Sequence, residues 1–350
     1  MRLRPSAAWS LDNDLDAVAS ANADLWPRLD GARFFITGGT GFIGRWLLET
    51  LHHARRLCGV DVRATILTRA PEAFRAKAPH LIDDGAFDLV PGDVRDFASP
   101  AGAFTHIIHA ATDASAHLNE TDPRQMFDTV VAGTRRALDL AVEKRVERVL
   151  YLSSGAVYGR QPWDLERVPE SWLGGPNCRE PKDTYAEAKR AAEMLCAIYA
   201  KQLGIDVVTA RIFALLGPLL SLDIHFAAGN FIRDALAGRP IVVESSGQAC
   251  RSYLYAADLV SWLWRLLGSA APGAAYNVGS EEWLSIADLA RRIGTLLGGE
   301  VEIRGTQDYG WNPGRYVPDT SLARKELGLQ AHVPLDESIM RTAMWNGWRQ

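Results

Sequence analysis

The 350-residue chain has few cysteines, and its four (Cys58, Cys178, Cys196 and Cys250) stand far apart without paired spacing. That pattern argues against a disulfide framework or a cysteine-based zinc site and fits reduced thiols. No run approaches the roughly 18 apolar residues that a membrane span needs. The opening stretch, MRLRPSAAWSLDNDLDAVAS, carries two arginines but meets acidic residues before any apolar segment of signal-peptide length. Basic excess is missing too: 38 Lys and Arg against 42 Asp and Glu leave a net charge of −4. A nucleic-acid binder needs the opposite field. Internal repeats and low-complexity tracts are absent. These absences imply a soluble, cytoplasmic protein with no nucleic-acid partner and no membrane partner.

Apolar residues make up 47% of the chain and charged residues 23%, an ordinary globular balance at a length that supports a large core. Strand-like apolar runs lie at 33–37, 62–68, 87–93, 105–111, 148–154 and 206–213. Amphipathic stretches such as 45–57, 123–144 and 184–203 separate them. Near-continuous apolar strands alternating with helices predict an α/β fold, a doubly wound parallel sheet covered on both faces. After about residue 215 the pattern loosens into short segments (PIVVESS, EVEIRG) and helices at 229–237, 256–268 and 284–297. The expected organisation is an N-terminal extension (1–31) whose helix covers one edge of the sheet, a sheet domain (32–215) and a smaller lobe (216–350). The chain is expected to cross between the last two more than once.

Three glycines in FFITGGTGFIGRWLLETL, at 38, 41 and 44, sit between a strand and a helix. Glycine costs roughly 0.5–1 kcal/mol in a regular element relative to alanine, so the spacing needs a reason. The first permits a tight turn, the second lets a pyrophosphate reach the backbone, and the third lets the helix pack close to the strand. The N–H groups around Phe42, Ile43 and Gly44 would face the phosphates with the positive end of the helix dipole. An acid at the end of the second strand would bond the ribose 2′-hydroxyl of NAD, but TILTRAPEAF puts Thr68 and Arg69 there. A cation without a carboxylate suits the 2′-phosphate of NADP, so the expected cofactor is NADP (or NAD).

DTYAEAKRAAE sets Tyr185 and Lys189 four apart, hence on one face of a helix. Moving a hydride at a carbinol carbon requires moving a proton on its oxygen. A tyrosine with an unperturbed pKa near 10 is a poor base unless a cation such as Lys189 favours its phenolate.

The G-x-x-G-x-x-G turn, YLSSGAVYG and the Tyr185/Lys189 pair together resemble the extended short-chain dehydrogenase/reductase superfamily, in its nucleotide-sugar-modifying branch. The likeness spans about residues 33–345. It implies a Rossmann-type doubly wound parallel sheet with a smaller C-terminal substrate-binding lobe. It further implies adenine contacts from Asp93 and Val94, a cofactor wall at Ala110 and Ala111, and Lys189 bonds to the cofactor ribose. Ser154 would orient the substrate oxygen with Ser153 beside it; Tyr158 would be structural. Asn230, Arg251 and Arg315 would hold the diphosphate of a nucleotide-diphosphate sugar, arginine's planar fork suiting phosphate oxygens. The loop 161–183, with Trp163 and Trp172, would either line the sugar pocket or pack structurally. A homodimer through the helices at 123–144 and 184–203 is implied as well.

Three departures stand out. Sugar-nucleotide 4,6-dehydratases of this branch carry an Asp-Glu pair after the catalytic hydroxyl residue, whereas this chain has Gly155 and Ala156. Without those proton carriers, elimination of water is unsupported. Two branch asparagines are replaced by Val130 and Ala214. The expected activity is therefore 4-ketoreduction of a nucleotide sugar, with a 4-epimerase retaining NAD as the alternative and non-catalytic dinucleotide binding as a third reading.

Overall fold

The apolar runs become strands in the computed structural model, which describes residues 9–112, 116–223, 227–306 and 314–349. β1 (Arg33–Thr37), β2 (Arg63–Thr68), β3 (Phe87–Pro91), β4 (His106–His109), β5 (Arg148–Ser154) and β6 (Val207–Ile212) all pair in parallel. The second half adds short strands: β7 (Leu215–Leu216), β8 (Ile241–Val243), β9 (Cys250–Ser252), β10 (Leu254–Tyr255), β11 (Ala275–Val278), β12 (Trp283–Ser285), β13 (Val301–Ile303) and β14 (Arg315–Tyr316).

Seven strands form the main sheet in the order β11-β6-β5-β4-β1-β2-β3. The winding reverses beside β1, with β2 and β3 on one side and β4 to β6 on the other. That reversal opens a crevice at the carboxyl ends of β1 and β4, where ligands of such sheets bind.

Helices α1 (Leu11–Ala21) and α2 (Phe42–Cys58) are followed by the short α3 (Pro71–Lys77), α4 (Pro79–Ile82) and α5 (Ala116–Thr121). Then come α6 (Pro123–Lys144), α7 (Thr184–Leu203), α8 (Ala227–Leu236), α9 (Ala256–Ser269), α10 (Ile286–Leu297), α11 (Ser321–Leu327) and α12 (Leu335–Trp345). On one face of the sheet, Trp46 and Leu47 of α2 and Leu263 and Trp264 of α9 pack with Phe34, Ile36 and Leu150. On the other, Leu138 and Ala141 of α6 and Ala188 and Ala192 of α7 pack with Phe35, Ile107 and Tyr151. Such double coverage is what strands apolar on both sides require.

The N-terminal helix does not lie along a sheet edge, as its sequence had suggested. It packs on α2 and α9, and its Asp14 is buried, accepting from the Tyr255 hydroxyl (2.5 Å) and pairing with Arg341 of α12. A buried carboxylate needs such partners, so this contact ties the extension to both later segments.

After β6 the chain builds two parallel pairs (β7 with β10, β8 with β13) and a three-stranded sheet, β12-β9-β14. Residues of α8, α10 and α12 make a separate apolar cluster there. Between these pieces α9 and β11 return to the main layer, β11 pairing with β6 at the sheet edge.

Candidate active site at the carboxyl edge of the sheet

β1 ends at Thr37, and the chain turns at Gly38 with φ +70°. A Cβ at Gly38 would lie 2.6 Å from the backbone of Ala110 and Ala111, so the turn is pressed against the end of β4. The Thr37 hydroxyl fixes that junction, sitting 2.7 Å from His109 Nδ1 and accepting the Ala111 N–H at 3.2 Å. At Gly44 a Cβ would collide with the Gly38 carbonyl oxygen and with Gly39. The third glycine thus lets α2 close on the turn itself, not on the strand. Gly41 differs: it caps α2 with an ordinary φ of −80°, makes no side-chain cap bond and is exposed. A Cβ there would meet only the Gly38 oxygen, at 3.4 Å. Nothing in the protein explains its bareness. A phosphate approaching the N-terminus of α2 does, and the turn fits a dinucleotide on that ground. Phe42 and Ile43 turn their side chains into the apolar cores, leaving their backbone to face such a ligand.

At the end of β2, Thr68 is buried and accepts the Ala70 N–H (3.2 Å), while Arg69 is exposed. Asp93 is gripped by Arg95 through Nε (2.8 Å), Nη2 (3.0 Å) and the backbone N–H (2.9 Å). Those bonds, aided by Arg69, hold the Asp93 carboxyl below the usual range. The sequence reading missed Arg95, although its place two residues after Asp93 was a usable signal. Val94 packs over Gly133 of α6.

β5 delivers Ser153 and Ser154 to the same edge, and α7 delivers Tyr185 and Lys189. The Ser154 hydroxyl accepts the Ala156 N–H (3.2 Å) and lies 3.3 Å from the Tyr316 hydroxyl, with Tyr185 close by. Lys189 is 2% exposed; its Nζ donates to the Leu152 carbonyl (2.7 Å) and lies 5.9 Å from the centre of the Tyr185 ring. The expected serine, tyrosine and lysine therefore meet at one point, adjoining the glycine turn across β4.

Burial dominates the electrostatics here. Burial raises the Tyr185 pKa, opposed only by the bond to Ser154. Burial also draws Lys189 down to about 7, with Glu193 opposing. The Tyr185 phenol therefore keeps its proton at neutral pH.

Ser153 points elsewhere. Its hydroxyl donates to Glu193 Oε1 (2.5 Å), and Glu193 pairs with Arg211 (2.7 Å). Arg211 also donates to the Tyr158 hydroxyl (2.8 Å), which in turn donates to Asn277 (2.7 Å). This network occupies Ser153 and gives Tyr158 its structural role. Glu193, four residues beyond Lys189 on the same helix face, was legible from spacing but missed.

On the sugar side, Arg251 Nη1 donates to the Cys250 carbonyl (2.8 Å), and its guanidinium lies 5.8 Å from the Tyr316 ring. Arg315 is sandwiched between the rings of Trp163 (4.5 Å) and Trp283 (4.9 Å). Asn230, on α8, accepts from Arg233 (3.4 Å). Arg251 thus adjoins the catalytic centre through Tyr316, and Arg315 precedes Tyr316 on β14. Asn230 sits on α8, whereas the two arginines sit on β9 and β14. Trp172 packs with Val157, Tyr158 and Val168, whereas Trp163 covers Arg315. Val130 is core, and the Ala214 carbonyl accepts from Leu254 (3.0 Å). Tyr316, absent from the sequence reading, is the addition that matters most. Among the described residues, no cluster suits a metal ion and no helix is long and apolar enough to cross a membrane.

The family model described as NAD dependent epimerase/dehydratase matches residues 34–279. UDP-glucuronic acid decarboxylase 1 of Xenopus tropicalis is 34% identical over 317 residues, covering 89% of this chain and 72% of that protein. UDP-glucuronic acid decarboxylase 3 of Arabidopsis thaliana is 32% identical over 308 residues, covering 88% and 86%. Among solved structures, DesIV (dTDP-glucose 4,6-dehydratase) of Streptomyces venezuelae, with NAD and TYD bound, has a TM-score of 0.77 at 24% identity, covering 89% of this chain and 96% of that one. Pal of Bacillus thuringiensis has a TM-score of 0.76 at 22% identity, covering 90% and 98%. These two likenesses show the shared fold. With the family match across most of the chain, the protein belongs to the NAD dependent epimerase/dehydratase family and is an enzyme using a nicotinamide dinucleotide, NAD or NADP.

Proposed function

We propose that the protein reduces the 4-keto group of a nucleoside diphosphate sugar, drawing on NADPH. One observation carries this reading. Ser154 ends β5 beside the half-buried Tyr185, whose phenol burial keeps protonated, with no carboxylate at positions 155 and 156. That set can donate one proton to a carbonyl oxygen and hold it; it has no acid–base pair for eliminating water.

Gly38, Gly41 and the backbone of Phe42, Ile43 and Gly44 would receive the pyrophosphate. Asp93 and Val94 would flank the adenine, Ala110 and Ala111 the middle of the dinucleotide, and Lys189 its ribose hydroxyls. Thr68 and Arg69 end β2 without a carboxylate, and Arg95 adds a second guanidinium beside Asp93, which supports NADP over NAD. The nicotinamide, when bound, supplies the hydride that no side chain can. Tyr185 donates the proton to the C4 oxygen, Ser154 orients that oxygen by a hydrogen bond, and Lys189 neutralises the phenolate left behind. Arg251, Arg315 and Asn230 would hold the diphosphate, the tryptophan sandwich keeping Arg315 extended.

A second reading has its own support in the UDP-glucuronic acid decarboxylase relatives. Oxidation at C4 of a UDP-hexuronic acid makes a β-keto acid, which sheds carbon dioxide without a separate base. The same serine, tyrosine and lysine would serve. The 4-epimerase alternative also uses them. Exposed Phe127 and Val142 on α6, with Met194, Ile198 and Leu203 on α7, support a homodimer through these helices.

Absorbance at 340 nm with a panel of nucleotide sugars, followed by NMR of the products, separates the readings. Stoichiometric NADPH loss with a 4-keto sugar is the expected result. Carbon dioxide release from UDP-glucuronate with catalytic NAD, or isomerisation without net cofactor change, would overturn it.

A further inference from the structure

Tyr316 meets the chain at Ser154, the residue just before the Gly155 and Ala156 that replace the acidic pair. β14 pairs with β9, aligning Tyr316 with Arg251 and carrying its phenol to Ser154, 162 residues away in sequence. The Tyr316 ring stacks on Phe213, centroids 4.6 Å apart. A Cβ at Gly155 would come within 2.6 Å of the Phe213 ring, so the glycine that replaces an acid is also the clearance that seats Phe213 under Tyr316. Gly155, Phe213 and Tyr316 therefore form one arrangement.

Counting hydrogens assigns the bonds. Tyr316 has a single O–H, and it donates to the Ile212 carbonyl (3.3 Å). Its oxygen is then an acceptor for Ser154, 3.3 Å away. The Ser154 oxygen already accepts from Ala156 (3.2 Å), so its own hydrogen can go to Tyr316, with Tyr185 the neighbour that would otherwise draw it. The charged and titratable neighbours are few. Lys189 faces Tyr185 from the next turn of α7, Tyr151 from β5, and Arg251 faces Tyr316 from β9. His109 of β4 and Glu193 of α7 act on Lys189 from behind.

We propose that Tyr316 is a positioning residue of the catalytic centre: its oxygen takes the Ser154 hydrogen and keeps it from Tyr185 until a substrate oxygen arrives. Tyr185 then remains the proton donor, and Ser154 is free to turn its hydrogen onto the C4 oxygen. This rests on the ketoreductase reading for its purpose, but not for its first test.

That test is a carbon NMR titration of ζ-labelled tyrosines in the full chain with NADP+ bound, Tyr185 being assigned from Tyr185→Phe. In Tyr316→Phe, which keeps the ring on Phe213, the Ser154 hydrogen has only Tyr185 left to serve. The Tyr185 midpoint should fall by about half a unit or more. In a Ser154→Ala background the same substitution should change nothing, a coupling that loss of packing alone would not produce. An unmoved midpoint, or a shift that persists without Ser154, overturns the proposal. With a turned-over sugar, Tyr316→Phe should lower kcat about 10-fold at constant KM; unchanged kcat overturns it as well. Because the titration needs no sugar, failure to turn over any nucleotide sugar removes the ketoreductase reading alone.

Discussion

The turn after β1 and the turn after β5 end neighbouring parts of one sheet, yet they are built in opposite ways. The first is nearly all backbone: Gly38 lies against Ala110, Gly44 against the turn, and the N-terminus of α2 carries no side-chain cap. Its open N–H groups suit an anion from outside the chain. The second is crowded with hydroxyls and satisfied from within, with Ser153 on Glu193, Tyr316 on Ile212 and Lys189 on Leu152. A site that grips a fixed anion works by leaving donors open. A site that moves protons works by giving each proton a resting partner that a substrate can displace.

Removing one hydroxyl from the second turn should have the largest effect. Tyr185→Phe is expected to cut turnover by roughly 10²–10⁴-fold while dinucleotide affinity and the melting temperature stay near wild type. Full turnover in that variant would remove Tyr185 from the proposed chemistry. Next comes the backbone turn. Gly44→Ala forces a Cβ into the Gly38 carbonyl and should destabilise the fold by about 2–4 kcal/mol, read by urea denaturation. Gly41→Ala sharpens the contrast. It has room for its methyl, so stability should change by less than about 1 kcal/mol. Dinucleotide binding, followed by calorimetry, should nonetheless weaken by about 10-fold or more, because the methyl stands where the phosphate approaches. Equal stability losses in the two glycine variants would erase the distinction between a structural glycine and a binding glycine.

The same contrast explains what could be read in the sequence. The glycine turn is contained in seven residues, and Tyr185 and Lys189 are four apart on one helix, so local rules suffice. Of the six strands before residue 215, all but β3 are mostly buried runs, legible for the same reason. Tyr316 was not legible, because its relation to Ser154 exists only after two-residue β14 docks beside β9. The burial of Lys189 was equally hidden. Spacing gives a helix face, but whether that face meets solvent or Tyr151 depends on the packing of α7 against β5. Ser153 and Ser154 look alike in sequence, and only the alternation at the strand end sends one to Glu193 and the other to Tyr185.

The smallest effect should be a pH dependence confined to the second turn. Lys189 sits near pKa 7 in the fold, because burial disfavours its charge, against 10.5 as an ordinary lysine. The unfolded chain therefore binds this proton more readily between those values, so the contribution of Lys189 worsens as pH falls from 10.5 to 7. Lys189→Met should lose activity yet gain on the order of 1 kcal/mol of stability at pH 7, with the gain shrinking toward pH 10. His109, buried against Tyr151, and His106 titrate near 3 and 4, pushed down by burial. Their stabilisation is complete above 6.5 and is lost as pH falls toward 3, in wild type and variant alike. Urea denaturation of both proteins at several pH values should give curves that converge at high pH and run parallel below 6.5. A wild type more stable than Lys189→Met at pH 7, by a difference that holds up to about pH 10, would mean that Lys189 is charged and stabilising where it sits, and that the second turn is not the strained member of the pair.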